Sequence, residues 1–182
     1  REMSVGQLAT ITKGQQLGRA NLDSQHGVPV WNGGIVPSGY TSSPNVHRAV
    51  VTVSEGGNSC GWVGRPGGRF WLGGHCYALD PKPAGHSVAY LYHALKAREP
   101  MIKGLRVGSG LPNIQKKDLS EFVVHVPSDP EEARVIARIL DDAGNEIATL
   151  RARLHKSRSI KIGMMQELFT GRTRLPIEEA ES

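Results

Sequence analysis

The sequence predicts an α+β fold, in which a loop-rich mixed α/β domain is followed by one long C-terminal α-helix that forms a coiled coil. Residues 1–127 contain short apolar and β-branched segments separated by glycine-rich turns, with one stretch of helical spacing. This pattern is typical of several short strands and a single helix. Residues 128–171 instead repeat apolar residues at coiled-coil spacing. We therefore divide the chain into a domain (1–127), a helix (128–171) and a tail (172–182).

Within the domain, the strands follow from β-branched and aromatic runs, and the loops follow from glycine, proline and small polar residues. A short apolar segment at 5–12 leads into a turn at Lys13-Gly14. The expected strands are Val28–Trp31, 49–54, part of 60–65, 70–72, 76–79 and 121–126. Turns are expected at 32–34 and 73–74, the latter joining two strands, and loops at 37–48 and 108–112. Residues 87–98 carry apolar residues at helical spacing.

The C-terminal helix has clear start and stop signals. At its start, Asp129 is placed as the N-cap, Pro130 occupies the first helical position, and Glu132 lies where a capping box has its acidic residue. At its end, Gly171 can adopt the left-handed conformation that terminates helices. Such a helix of about 40 residues is roughly 60 Å long. Its apolar residues are spaced alternately by four and three, as in the seam of a coiled coil: Ile136, Leu140, Ala143, Ile147, Leu150 and Leu154. We therefore expect a projecting helix that pairs with another helix; the alternative is an amphipathic helix lying along its own domain.

Composition and charge restrict the classes of function. The 182 residues are 38% hydrophobic, which excludes a wholly disordered chain. No run of 18 apolar residues is present, so we expect no membrane span, and two cysteines indicate a reduced, cytoplasmic setting. Residues 1–127 carry 13 Lys and Arg against 7 Asp and Glu, whereas residues 128–182 carry 9 against 10. A basic domain with a balanced helix suits a polyanion on the first and a protein partner on the second.

An ordered set of motifs runs along most of the chain. The segments, in order, are Lys13-Gly14, VPVWNGGI at 28–35, CGWVGR at 60–65, GSGLPNI at 108–114, Asp118-Leu119 with 124–127, and MMQELFTGRTRL at 164–175. Together with the long helix, this set resembles the specificity (S) subunits of type I restriction–modification systems. Two departures stand out: Glu132 is followed by Ala133 where the family usually has Glu-Gln, and the chain has one target-recognition domain and one conserved helix where a full subunit has two of each. The chain therefore resembles a half-subunit that dimerises, or a fragment of a two-domain subunit.

The resemblance implies a non-catalytic protein without a cofactor. The target-recognition domain would read one half of a bipartite site on double-stranded DNA. The helix would act as a spacer, pack antiparallel against a second copy in a homodimer, and dock the methyltransferase (modification) subunits, with the restriction subunit joining the full complex. DNA methylation and cleavage would belong to those partner subunits.

Candidate DNA contacts follow from the chemistry of base edges and phosphates. Arginine reads guanine, Asn and Gln read adenine, and Lys, Arg and hydroxyl groups position phosphates. The candidates on the loops and turns are Lys13, Asn32, Ser38, Tyr40, Ser59, Arg65, Arg69, Lys116 and Lys117. Strand alternation instead places Trp31, Trp62 and Trp71 facing inward, as core residues rather than base-stacking ones.

Three other readings compete with DNA recognition. Cys60, His75 and Cys76 could suggest a zinc site, but no Cys-x-x-Cys pair or second cluster supports it. Gly74-His75-Cys76, with Asp80 and Ser109, faintly resembles a serine protease, but the Gly-Asp-Ser-Gly-Gly setting is absent. The remaining alternative is a non-enzymatic scaffold that dimerises through its coiled coil. A sequence preference in DNA selection would exclude the scaffold.

Overall fold

A computed structural model describes residues 1–23, 25–83, 86–108 and 110–175. The strands are β1 (Glu2–Ser4), β2 (Ala9–Lys13), β3 (Val28–Trp31), β4 (Tyr40–Thr41), β5 (Val51–Ser54), β6 (Val63–Gly64), β7 (Trp71–Leu72), β8 (Cys76–Pro81) and β9 (Val123–His125). The α-helices are α1 (Val5–Leu8), α2 (Val88–Ala97), α3 (Glu99–Lys103), α4 (Lys116–Glu121) and α5 (Pro130–Phe169), and a 3₁₀ turn spans Arg19–Asn21. The predicted α+β class with a long C-terminal helix is confirmed.

Three small sheets build the domain. The largest is antiparallel, with strand order β2-β8-β5-β6. In a second sheet, ordered β4-β3-β7, β3 is antiparallel to β4 and parallel to β7. The third pairs β1 with β9, joining the start of the chain to the segment just before α5.

The two hydrophobic clusters follow from alternation along the central strands. On β8, Tyr77 and Leu79 belong to the larger cluster, whereas Cys76 and Ala78 belong to a smaller one around Phe70. Because successive side chains of a strand point to opposite faces, the sheet is covered on both sides. The larger cluster also contains residues of α2, α3, α4 and the first turns of α5. The strands of the four-stranded sheet are therefore fixed by a core on each face.

Several sequence-based expectations for the domain need correction. The strands at 70–72 and 76–79 do not form a hairpin, since β7 pairs with β3 and β8 pairs with β2 and β5. The expected loop at 37–48 contains β4, and the expected strand at 121–126 begins only after α4 ends. Helices α3 and α4 were not expected, because each is too short for helical spacing to be visible.

The expectation that the three tryptophans are core residues also needs correction. Trp31, Trp62 and Trp71 are half-buried rather than part of the fully buried core, although Trp31 packs against the smaller cluster. Each indole carries a polar N–H, and the Trp71 Nε1 donates to the Gln15 carbonyl. Residues of this amphipathic kind commonly remain partly exposed.

Helix α5 begins and ends where the sequence indicates. The Asp129 carboxylate accepts from the Glu131 backbone N–H at 2.9 Å, as an N-cap does, and Gly171 has φ +71° beyond the last turn. The chain forms two compact units, Arg1–Arg138 and Ile139–Ser182, so α5 contributes to both. Among the described residues, no helix is long and apolar enough to cross a membrane.

Candidate nucleic-acid interface

One cleft brings together three of the predicted DNA contacts. Lys13, Asn32 and Ser59, which are far apart in sequence, line a cleft of about 640 Å³ on the first unit. Its other lining residues are Gly33, Gly34, Glu55, Gly56, Gly57, Asn58, Gly74, His75, Leu111, Pro112 and Asn113. The wall is thus made of glycine-rich loops carrying amides, a hydroxyl, an imidazole and one ion pair. Such groups match the donors and acceptors on base edges.

Asn32 is held by the turn between β7 and β8. Its Oδ1 accepts from the His75 backbone N–H at 3.2 Å. A Cβ on Gly73 would lie 2.3 Å from the same oxygen, so the turn approaches Asn32 as closely as it does only because residue 73 is glycine. Base reading by Asn32 stays a prediction, and its Oδ1 already serves to position this wall of the cleft.

An ion pair fixes the neighbouring part of the cleft. The Lys13 ammonium lies 2.6 Å from Glu55 Oε1, and the Tyr77 hydroxyl lies 3.0 Å from the same oxygen. Burial, followed by the hydrogen bond with Glu55, raises the pKa of Tyr77 to about 12, so its hydroxyl stays protonated and donates at neutral pH. Lys13 is therefore not a free cation; its charge is opposed by Glu55 within the cleft.

Two further predicted contacts share a separate, smaller depression. Ser38 and Tyr40 line a pocket of about 430 Å³ together with Leu22, Asp23, Pro37 and Gly39. The Ser38 hydroxyl donates to the Val30 carbonyl at 3.2 Å, which holds the loop after β3. These two residues are thus neighbours of each other but do not line the larger cleft.

The remaining predicted contacts are basic and exposed. The Arg65 guanidinium lies over the Tyr92 ring, 4.9 Å from its centroid, and Lys117 lies 4.0 Å from Glu121 along α4. The side chains of Arg69 and Lys116 make no hydrogen bond or ion pair with the part of the chain that is described. Among the described residues, these two predicted phosphate contacts thus form no ion pair with a carboxylate.

The Cys60–Arg65 motif serves packing as well as any binding. Gly61 has φ +85°, and a Cβ there would lie 2.8 Å from the backbone Cα of Lys103. Next to it, Lys96 Nζ lies 3.3 Å from the centroid of the Trp62 ring. Glu99 accepts from Lys96 at 2.5 Å and from Lys103 at 2.7 Å. Residue 61 therefore has to be glycine, because the backbone of Lys103 in α3 packs directly against it.

The cysteines are used locally rather than together. The Cys60 thiol donates to the Glu55 carbonyl at 2.9 Å, whereas Cys76 Sγ accepts from the Gly33 N–H at 3.1 Å. Burial raises the pKa of Cys76 to about 11, which disfavours the thiolate that zinc requires. Over the described ranges, no three His, Cys, Asp or Glu residues form a group able to hold a metal.

The protease-like residues are also engaged elsewhere. Asp80 forms an ion pair with Arg48, and Ser109 lies outside the described residues. His75 lines the cleft and contributes its backbone to the contacts with Asn32 and Glu55.

Sequence reasoning missed four polar residues of the cleft: Glu55, Asn58, His75 as a wall residue, and Asn113. Asn58 could have been found from the glycine-rich stretch that it shares with Ser59. The sequence gives no signal for Glu55, because an acidic residue is not an obvious contact for a polyanion. Its position became visible only from the pairing of β5 with β8, which brings it beside Tyr77.

Helix α5 presents its seam differently along its length. Ile136 packs against the larger core cluster, beside the buried Ala133 and Ala137. The later apolar seam residues are exposed: Leu140 at 43%, Ile147 at 49%, Leu150 at 53% and Leu154 at 50%. Such a row of exposed large apolar side chains is typical of a surface that binds another protein.

The comparisons with known proteins agree with the motif order. The family model for the type I restriction modification DNA specificity domain matches residues 1–156. A Mycoplasma pneumoniae protein described as a type I specificity subunit is 27% identical over 168 residues, covering 92% of this chain and 44% of that protein. The specificity subunit of the type I restriction enzyme MjaVIII of Methanocaldococcus jannaschii is 31% identical over 126 residues, covering 66% of this chain and 29% of its own length.

The fold has matching solved structures. The S subunit of a type I restriction-modification system from M. genitalium superimposes with a TM-score of 0.80 at 25% identity, covering 93% of this chain and 46% of that one. The chain spans less than half the length of each of these relatives.

Proposed function

Because the chain belongs to the type I restriction modification DNA specificity domain family, we propose that it is a DNA-recognition subunit that reads one half of a bipartite site. Methyltransferase subunits dock against it, and methylation and cleavage take place in those partner subunits. The protein itself works in the cytoplasm without a cofactor and performs no catalysis.

One observation carries the recognition role. The cleft gathers Lys13, at the end of β2, with Asn32 and Ser59, which lie on the loops that follow β3 and β5. Base reading needs polar groups fixed within hydrogen-bonding reach of a groove, and loops on a rigid scaffold supply them. The net positive charge of residues 1–127 adds the attraction to phosphates that a DNA-binding domain requires.

The second role belongs to α5. Its exposed seam, represented by Ile147, Leu150 and Leu154, is the side against which a second helix packs. A second copy of this chain would supply that helix in antiparallel orientation and bring a second recognition domain; the second half of a longer subunit would do the same. Either arrangement yields two half-sites at a fixed spacing, because the helices are rigid rods of about 60 Å.

The remaining predicted contacts divide by chemistry. Ser38 and Tyr40, in the smaller depression, and Arg65 contribute to positioning on the sugar–phosphate backbone. Arg69, Lys116 and Lys117 are exposed charges that bind phosphates and make affinity fall with salt.

The test is duplex-DNA selection on the complex that the chain forms with the methyltransferase subunits encoded beside it. We expect co-purification and enrichment of a split, two-part site. A stable complex that enriches no sequence would refute the recognition role and favour the protein-interaction scaffold, which the exposed seam alone would support. Selection on the chain without its partners, run in parallel, measures how much of the preference the chain provides by itself.

A further inference from the structure

Glu55 is held in the cleft by its backbone. It follows the last residue of β5, its N–H donates to the His75 carbonyl at 2.8 Å, and its carbonyl accepts from the Ile114 N–H at 2.8 Å. These bonds connect three segments that all border the cleft. The backbone of Glu55 is therefore fixed relative to the segments that carry His75 and Ile114.

The carboxylate of Glu55 is fixed as well, with one oxygen left over. Oε1 forms an ion pair with the Lys13 ammonium at 2.6 Å and accepts a hydrogen bond from the Tyr77 hydroxyl at 3.0 Å. Tyr77 is 3% exposed, and its hydroxyl also lies 3.1 Å from the Ile114 carbonyl, so the phenol cannot swing away. Oε2 accepts no hydrogen bond from the described residues, and the side chain is 12% exposed. One acceptor in a set orientation thus borders the cleft.

That acceptor discriminates between bases. In the major groove, cytosine and adenine present an amino group, N4 or N6, where thymine and guanine present a carbonyl oxygen, O4 or O6. A carboxylate oxygen accepts from the amine and repels the carbonyl. Lys13 offsets the charge of Glu55, which lowers the cost of bringing a carboxylate close to DNA.

We infer that Glu55 is a specificity-determining residue, whose carboxylate accepts a hydrogen bond from the exocyclic amine of a cytosine or adenine in the half-site. This inference rests on the proposed function and adds the chemical identity of one recognised group. A purely structural Glu55, which only holds Lys13 and Tyr77, would contribute to affinity and stability without selecting a base.

The experiment compares duplex selection by the methyltransferase complexes of three chains: wild type, Glu55→Gln and Tyr77→Phe. Glutamine has the same shape, but Lys13 and Tyr77 both donate to the oxygen at the Oε1 position, so the amide N–H₂ takes the place of Oε2 and donates to carbonyl-bearing bases. Phenylalanine removes one anchor of the carboxylate and leaves the carboxylate present. Binding is then measured on wild-type consensus duplexes with single C-to-T or A-to-G changes, which convert the amine to a carbonyl.

We expect one position at which wild type loses about tenfold or more in affinity on this change, while Glu55→Gln loses less than about threefold. A C-to-T effect identifies cytosine, and an A-to-G effect identifies adenine. Tyr77→Phe should bind more weakly with an unchanged consensus. If Glu55→Gln retains every wild-type preference, or if no amine-to-carbonyl change weakens the wild type, the inference is overturned while the proposed function stands. If the wild type selects no sequence at all, both are overturned.

Discussion

The carboxylate of Glu99 joins α2, α3 and β6 through three charge-assisted hydrogen bonds, so its removal gives a sharp test of what holds the domain together. Oε2 accepts from Lys96 at 2.5 Å and from the Val63 N–H at 3.1 Å, and Oε1 accepts from Lys103 at 2.7 Å. The Glu99 side chain is 11% exposed, whereas those of Lys96 and Lys103 are 29% and 39% exposed. Glu99→Ala removes the acceptor and leaves both ammonium groups beside each other.

The magnitude follows from that difference in exposure. Breaking a fully buried pair costs about 3–5 kcal/mol, largely because one charge is left buried without a partner. Here water reaches both lysines, which reduces the penalty. We expect Glu99→Ala to lower the free energy of unfolding by about 2–3 kcal/mol. Glu99→Gln, which keeps the shape and an acceptor for Val63, should lower it by about 1–2 kcal/mol.

The assay is urea unfolding followed by tryptophan fluorescence, since the Trp62 ring lies against Lys96. Burial works to raise the pKa of Glu99, but the hydrogen bonds from Lys103, Lys96 and Val63 together bring it below its ordinary value of 4.5. A carboxyl whose pKa is lowered on folding stabilises the protein above its unfolded pKa and ceases to do so as the pH falls through the folded pKa. The difference between wild type and Glu99→Gln should therefore be constant near pH 7 and shrink below about pH 4.5.

Two results would refute this reasoning. One is a Glu99→Ala protein within about 0.5 kcal/mol of wild type, which is the range of ordinary surface substitutions. The other is a difference between wild type and Glu99→Gln that stays constant through the acid range, which would show that the charge of Glu99 contributes nothing.

Three further predictions concern the helix, the basic surface and one glycine. Leu150→Asp should dissociate the paired helices, because it places a charge in the seam. The control Ala152→Asp, which lies off the seam, should not. If light scattering gives the Leu150→Asp protein the same mass as wild type, helix pairing through this seam is contradicted. Arg69→Gln should reduce the slope of log affinity against log salt by about 0.9, with an unchanged consensus, and an unaltered slope would remove Arg69 from the phosphate contacts. Gly61→Ala should lower the free energy of unfolding by about 1–2 kcal/mol because of the left-handed backbone, and by more because the new Cβ clashes with α3. The control Gly67→Ala, which has open space around it, should stay within about 0.5 kcal/mol of wild type in thermal unfolding.

The sequence by itself determined the C-terminal helix and the family. Capping at Asp129, the stop at Gly171 and the four-three repeat are local or periodic signals, so they can be read without knowing what packs where. The strand Val28–Trp31 and the helix Val88–Ala97 were likewise visible, because the first contains valines and a tryptophan in an extended segment and the second has apolar residues at helical spacing. The motif set pointed to the family before any pairing was known.

The tertiary structure decided which residues meet. Strand pairing joined β7 to β3 instead of β8, because partners in a sheet are chosen by long-range packing that no short segment encodes. The same pairings brought Lys13 and Asn32 into one cleft and placed Ser38 and Tyr40 in another. They also opposed the charge of Lys13 with Glu55, a residue whose place in the sequence gave no sign of a role. A side chain's type is written in the sequence, but its partners depend on contacts between distant segments, and those partners decide whether a charge or an acceptor is free to bind.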